Sequence, residues 1–249
     1  MAKPSPEELA AVPHYFINSH SVNETVNAAV FEEYALEKVS EIFAGCEVAV
    51  MVGGTGLYIK TFCSGIDEVP VVLPEIRENI IAAYNENGLE WLQQEVQQKD
   101  PLYFSKGEIQ NPQRLLRALE VMVSSGKSII EFQTQKKTVR DFKIIKIGLT
   151  LPREELYLRI NNRVDAMIAE GLADEVKSLL PYQHLNALQT VGYKEMFDYF
   201  AGKISFNEAV SAIKINTRHY AKRQMTWFNK DQEVNWCSPD LDEVLKKTK

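Results

Sequence analysis

One glycine turn and three groups of cations supply the residue types in this chain that could do chemistry. Gly53-Gly54-Thr55-Gly56 follows the apolar run Val48 to Val52 and precedes Leu57-Tyr58-Ile59-Lys60, a pattern suited to a helix. Strand, glycine turn and helix is the layout that aims backbone N–H groups and a helix N-terminus at an anion. A tight strand-to-helix turn with no ligand is the competing reading.

The cations are distributed unevenly. Between Glu208 and Asp231 there is no acidic residue, yet Lys214, Arg218, Lys222, Arg223 and Lys230 lie there with His219, Tyr220, Trp227 and Phe228 interleaved. Lys214, Arg218 and Lys222 step by four, so they share one helix face. Such a face suits phosphates, and the aromatics suit unpaired bases; a solvated basic surface is the alternative. Arg114 and Arg117 sit three apart at the start of a helix. Together they could grip a phosphate, or they could pair with Glu120 and neighbouring acids. Arg159 and Arg163 are one turn apart on another helix. There a surface salt-bridge role competes with a place near the carboxyl ends of strands, where α/β sheets gather ligands.

Other chemistries find no support. The chain has no GxxxxGK followed by Ser or Thr, and its Ser and His residues show no nucleophile-elbow setting. Cys46, Cys63 and Cys237 fit neither a disulfide framework nor a zinc pattern, and no metal ligand set emerges. A formal net charge of −6 argues against a generic nucleic-acid binder, so any such site must be local. No apolar run approaches the roughly 20 residues that span a bilayer, and no secretory leader is visible, so a cytoplasmic location is expected.

The elements that must position these residues are mostly helices. Periodicity predicts helices over Asn27–Ala44, from the glycine turn to about Phe62, over Glu75–Asn87 and over Leu89–Lys99. Asn111 as N-cap, Pro112 at the first position and Gly126 as stop bound another, with Leu115, Leu116, Leu119, Met122 and Val123 as its buried stripe. Further helices are expected over Glu154–Glu170, Ala173–Leu180 and Asn207–Trp227. Val48–Val52 reads as a strand buried on both faces, Phe142–Thr150 as a second strong strand and Pro13–Asn18 as a short one. Pro70 and Pro74 mark a change to helical character. The reading is an α/β core from residues 1–68 and 140–249, with a mainly helical insertion over 69–139.

Taken in order, several segments resemble the tRNA dimethylallyltransferase (tRNA isopentenyltransferase) family, almost from end to end. They are Ala2-Lys3-Pro4, Pro13-His14, Val52 to Tyr58, Asn111 to Val121, Thr190 to Met196 and Thr217 to Phe228. The resemblance implies a parallel-sheet core like that of P-loop nucleotide kinases, with its N-terminal strands missing here and a helical insertion domain. It implies transfer of a dimethylallyl group from dimethylallyl diphosphate to N6 of the adenosine at position 37 of tRNAs, in the anticodon stem-loop, with Mg2+ assisting. A monomer with no membrane association is expected.

Roles follow residue by residue from the same resemblance. Thr55 matches a catalytic threonine beside the adenine, with Gly53 and Gly54 in the substrate channel, and Arg163 matches an arginine on the diphosphate. The tRNA-binding positions are Arg77; Gln113, Arg114, Leu115, Leu116 and Arg117; Gln189, Thr190, Val191, Gly192, Tyr193 and Lys194; and Lys222, Arg223, Gln224, Met225, Thr226, Trp227, Phe228 and Asn229. The family's phosphate loop and general-base aspartate precede the first residue here. A tRNA-binding protein without transferase activity therefore stands as the alternative. A nucleotide-kinase relative acting on a small molecule is a third reading, disfavoured by the length of the basic helix.

Overall fold

A computed structural model describes residues 4–134 and 136–248, so Ala2 and Lys3 of the resemblance lie outside the described residues. In chain order the helices are α1 (Pro6–Ala11), α2 (Ala28–Phe43), α3 (Gly56–Ser64), α4 (Pro74–Lys99), α5 (Pro101–Lys106), α6 (Pro112–Ser125) and α7 (Ile129–Phe132). Strand β1 (Lys146–Leu149) is followed by α8 (Arg153–Ala169), α9 (Leu172–Ser178), α10 (Tyr193–Phe200) and α11 (Phe206–Phe228). Then come β2 (Val234–Cys237) and α12 (Leu241–Lys247). The architecture is rich in helix, with a small parallel sheet.

Residues that satisfy orphan backbone groups set the helix ends. Asn27 accepts from the N–H groups of Ala29 and Val30, and Asn111 from those of Gln113 and Arg114. Ser205 and Glu208 cap α11 reciprocally. Gly126 ends α6 in the left-handed conformation, φ 70°, which costs glycine nothing sterically. Gly88, at φ 77° and ψ −168°, breaks α4 into two helical segments.

The chain divides into two compact units, Met1–Ser64 with Arg140–Lys249, and Gly65–Val139. In the first, Val164, Leu172, Val176, Leu188, Met196, Phe197, Ala209 and Ile213 form a core shared by α8 to α11. A second packing centre joins α2 to α3, where the Phe31 and Tyr58 rings stack at 4.9 Å. Arg140 holds the end of α3. Its guanidinium donates to the carbonyls of Phe62 (2.8 Å) and Thr61 (3.1 Å) and pairs with Glu32 of α2. A cation on the last carbonyls of a helix also meets the negative end of its dipole. In the second unit, α4 packs on α6 around Leu92, Val96, Leu115 and Leu119.

β1 and β2 run parallel, with Gly148 opposite Trp236. A Cβ on Gly148 would lie 2.6 Å from the Trp236 ring, so the pairing requires glycine there. The sequence expectation was broader. Phe142–Thr150 contracts to four strand residues, and Pro13–Asn18 is not a strand. Phe16 and Asn18 take positive φ (63° and 55°), with the Phe16 ring packed on Phe31 and Tyr34. Val48–Val52 is not a buried strand either: Val48, Val50 and Val52 are 72%, 81% and 91% exposed. A strand buried on both faces needs neighbours on both edges and layers above and below. Among the described residues only β1 and β2 pair. Val123 of the predicted α6 stripe is likewise exposed, while Ala118 and Val121 are buried.

Candidate functional site

The glycine turn and the basic helix, distant in sequence, meet in the first unit. The Gln224 side-chain amide on α11 donates to the carbonyl oxygen of Gly54 at 2.9 Å. A Cβ on Gly54 would stand 1.9 Å from that amide nitrogen, and one on Gly56 would stand 2.3 Å from the Trp227 indole nitrogen. Neither glycine has positive φ, so close approach is what the turn requires of them. Gly53 has no neighbour within 4 Å of a built Cβ. Thr55 is exposed, and its carbonyl accepts from Ile59 N at 3.1 Å, which puts it at the start of α3. The first N–H groups of α3 therefore lie just beyond Thr55, as an anion or an oxygen-rich ligand needs.

Beyond the turn, α11 carries a groove of about 220 Å³ lined by Lys222, Arg223, Thr226, Trp227 and Lys230. Trp227 serves both features, one part against Gly56 and the rest toward the groove. The Arg223 guanidinium lies 5.5 Å from the Tyr220 ring centroid. Among the described residues, Lys222, Arg223 and Lys230 have no carboxylate partner. Lys214 does: it pairs with Asp165 at 2.6 Å, so this end of the basic face is neutralised. Met225 and Phe228 are half-buried, and Asn229 closes the helix by donating to the Met225 carbonyl.

The two arginines of α8 separate in role. Arg159 pairs with Glu155 at 2.8 Å across one turn. Arg163 is exposed and, among the described residues, makes no ion pair or hydrogen bond, including to the glycine turn. Its neighbour Val164 is 2% exposed and anchors the helix in the core.

The loop before α10 is built by a buried acid that sequence reasoning overlooked. Glu195, 6% exposed, accepts from the Gly192 N–H at 2.7 Å with one oxygen and from the Asn216 amide at 2.6 Å with the other. Gly192 sits at φ 101°, where any side chain would be strained. The Tyr193 hydroxyl donates to Glu175, and burial with this hydrogen bond pushes the phenol above its ordinary range. Gln189, Thr190 and Lys194 remain exposed for a ligand, whereas Val191 packs against the core and Gly192 is buried. A glutamate three residues after the helix-start glycine, half of a capping box, is the signal that would have flagged this acid.

In the second unit, Glu120 is 4% exposed and takes two arginines, Arg77 at 3.5 Å and Arg117 at 3.4 Å. The pairing of Arg117 with Glu120 is therefore real, and it adds Arg77. Arg114 and Gln113 are exposed, and Arg114 has no ion pair among the described residues. Leu115 and Leu116, expected to touch tRNA, are 0% and 5% exposed. Their side chains belong to the core, and their contribution is to fix where Gln113, Arg114 and Arg117 emerge.

Among the described residues no group of three or more His, Cys, Asp or Glu side chains could hold a metal ion. Cys46 is exposed, Cys63 half-buried and Cys237 buried, all as free thiols. No helix among the described residues is long and apolar enough to cross a membrane.

The family model for IPP transferase matches residues 1–231. The chain is 48% identical over 96% of its length to the tRNA dimethylallyltransferase of Christiangramia forsetii, covering 79% of that protein. It is 44% identical over 98% to tRNA dimethylallyltransferase 1 of Bacteroides thetaiotaomicron, covering 80% of it. The crystal structure of the tRNA isopentenylpyrophosphate transferase of Bacillus halodurans superposes with a TM-score of 0.67 at 32% identity, over 99% of this chain and 79% of that one. With a glycine turn clamped by an aromatic, acid-free helix and a match along nearly its whole length, the chain belongs to the IPP transferase family.

Proposed function

We propose that this protein transfers a dimethylallyl group from dimethylallyl diphosphate to N6 of the adenosine at position 37 of tRNAs. The observation that carries the reading is the junction of Gly54 and Gly56 with Gln224 and Trp227, which sets Thr55 beside a cationic, aromatic groove. An adenine drawn out of the anticodon loop needs such a stacking surface, and its neighbouring phosphates need the unpaired lysines. Thr55 and the N-terminus of α3 then face the reacting groups, and Arg163 takes the diphosphate. As the carbon–oxygen bond breaks, charge builds on the diphosphate oxygens, where the Arg163 guanidinium would stabilise the transition state. Holding adenine and allylic carbon together supplies the rest through positioning, with no covalent enzyme intermediate.

In this reading Gln189, Thr190, Lys194, Gln113, Arg114, Arg117 and Arg77 contact the tRNA, and residues 69–139 are an insertion that widens the footprint. The core is of the P-loop nucleotide-kinase type, whose first strands, phosphate loop and N6 base lie outside these residues. The enzyme acts as a cytoplasmic monomer with magnesium. The test is to incubate the purified chain with unmodified tRNA and dimethylallyl diphosphate and to digest the product for mass analysis. Formation of dimethylallyladenosine supports the assignment. Salt-sensitive tRNA binding without product would replace it with a binding role.

A further inference from the structure

Two arginines, Arg153 and Arg218 of the basic face, approach one ring. The Arg153 guanidinium, at the first turn of α8, lies 5.1 Å from the centroid of Tyr157, and that of Arg218, on α11, lies 5.5 Å from it. Among the described residues neither arginine has a carboxylate partner. The nearby acids are committed elsewhere or stand apart. Asp165 pairs with Lys214, Glu155 pairs with Arg159, and Glu154 is exposed with no ion pair among the described residues. Two like charges against one ring, with no carboxylate partner among the described residues, cost electrostatic energy that an anion bound by both would offset.

We propose that Arg153, Tyr157 and Arg218 form a docking point for one backbone phosphate of single-stranded RNA. Both guanidinium groups lie against the ring, and planar forks bind phosphate oxygens bidentately. Position favours a polymer over a small diphosphate. Arg218 is one turn from Lys222, the first residue of the groove, and the helical rise puts Trp227, further along the groove, about 14 Å from Arg218. A nucleic-acid strand bridges that distance and a single diphosphate does not. This inference rests on the tRNA reading of the groove and extends the strand's path away from the reacting adenine.

The test is tRNA binding across a salt series for the unaltered chain, for Arg153→Gln with Arg218→Gln, and for Tyr157→Phe, with thermal unfolding as the folding control. The double variant should bind about 3–10-fold more weakly, and its log K against log salt slope should shrink by about 0.7, the value for one phosphate of a single strand. Tyr157→Phe keeps the ring and should match the unaltered chain in both. Arg218→Lys keeps charge without the fork and should fall between. An unchanged slope in a folded double variant overturns the proposal. So does a loss of inorganic pyrophosphate binding with tRNA binding intact, which would make the site one for a free diphosphate. If the unaltered chain binds no tRNA at low salt, the reading of the groove fails as well, which the unaltered control reports separately.

Discussion

The Gln224 amide donates to the Gly54 carbonyl at 2.9 Å across 170 residues of sequence. That bond joins the turn bearing Thr55 to the helix bearing the cations. In the proposed function, RNA on the helix and the reacting groups at the turn would therefore share one frame.

This frame predicts a graded response at the three glycines. Gly53→Ala meets nothing within 4 Å and should stay within about 0.5 kcal/mol of the unaltered stability. Gly54→Ala displaces the end of a flexible glutamine and should cost about 1 kcal/mol, one hydrogen bond. Gly56→Ala drives into an indole ring and should cost about 1–3 kcal/mol. Urea denaturation midpoints check the order, and equal midpoints for Gly53→Ala and Gly56→Ala would contradict the packing described.

Arg163 and Arg114 should separate turnover from binding. With no partner to release among the described residues, Arg163→Ala should lower kcat about 10²–10³-fold while tRNA Kd moves less than about twofold. Arg114→Ala with Arg117→Ala should weaken tRNA binding and its salt dependence instead. Steady-state kinetics with parallel binding titrations decide, and matched losses of kcat and affinity at Arg163 would remove its leaving-group role.

Tyr193 should report at alkaline pH. Its phenol is raised above the ordinary value near 10, first by burial and then by the hydrogen bond to Glu175. A raised folded-state pKa means that the folded chain holds the proton more tightly than the unfolded one. The contribution is complete below about pH 10 and is lost as pH climbs further. Unfolding midpoints between about pH 8 and 11 should fall more steeply for the unaltered chain than for Tyr193→Phe. Parallel curves would show that the hydroxyl is not held as described.

Local rules made most of the helices legible. Asn111-Pro112 and Gly126 bound α6, and Gly88 divides α4, because capping and glycine conformations act within a few residues. The basic helix was legible for the same reason, since a four-residue step is a single turn. The strands were not. Val48–Val52 has the composition of a buried strand, but burial is conferred by neighbours, and a run of valines does not carry its own partners.

The sequence by itself determined the family, through several motifs in order, and the identity of the glycine turn and the acid-free helix. Tertiary structure alone decided which charges are free. Arg159 and Lys214 are neutralised by Glu155 and Asp165, Arg117 shares a buried Glu120 with Arg77, and Arg163 is unpaired among the described residues. Tertiary structure also decided that Gly54 and Gly56 serve close packing against Gln224 and Trp227 rather than unusual backbone angles. The physical reason is common to both. Ion pairing and van der Waals contact depend on distances between groups that the chain brings together only by folding, and spacing along the sequence does not encode those distances.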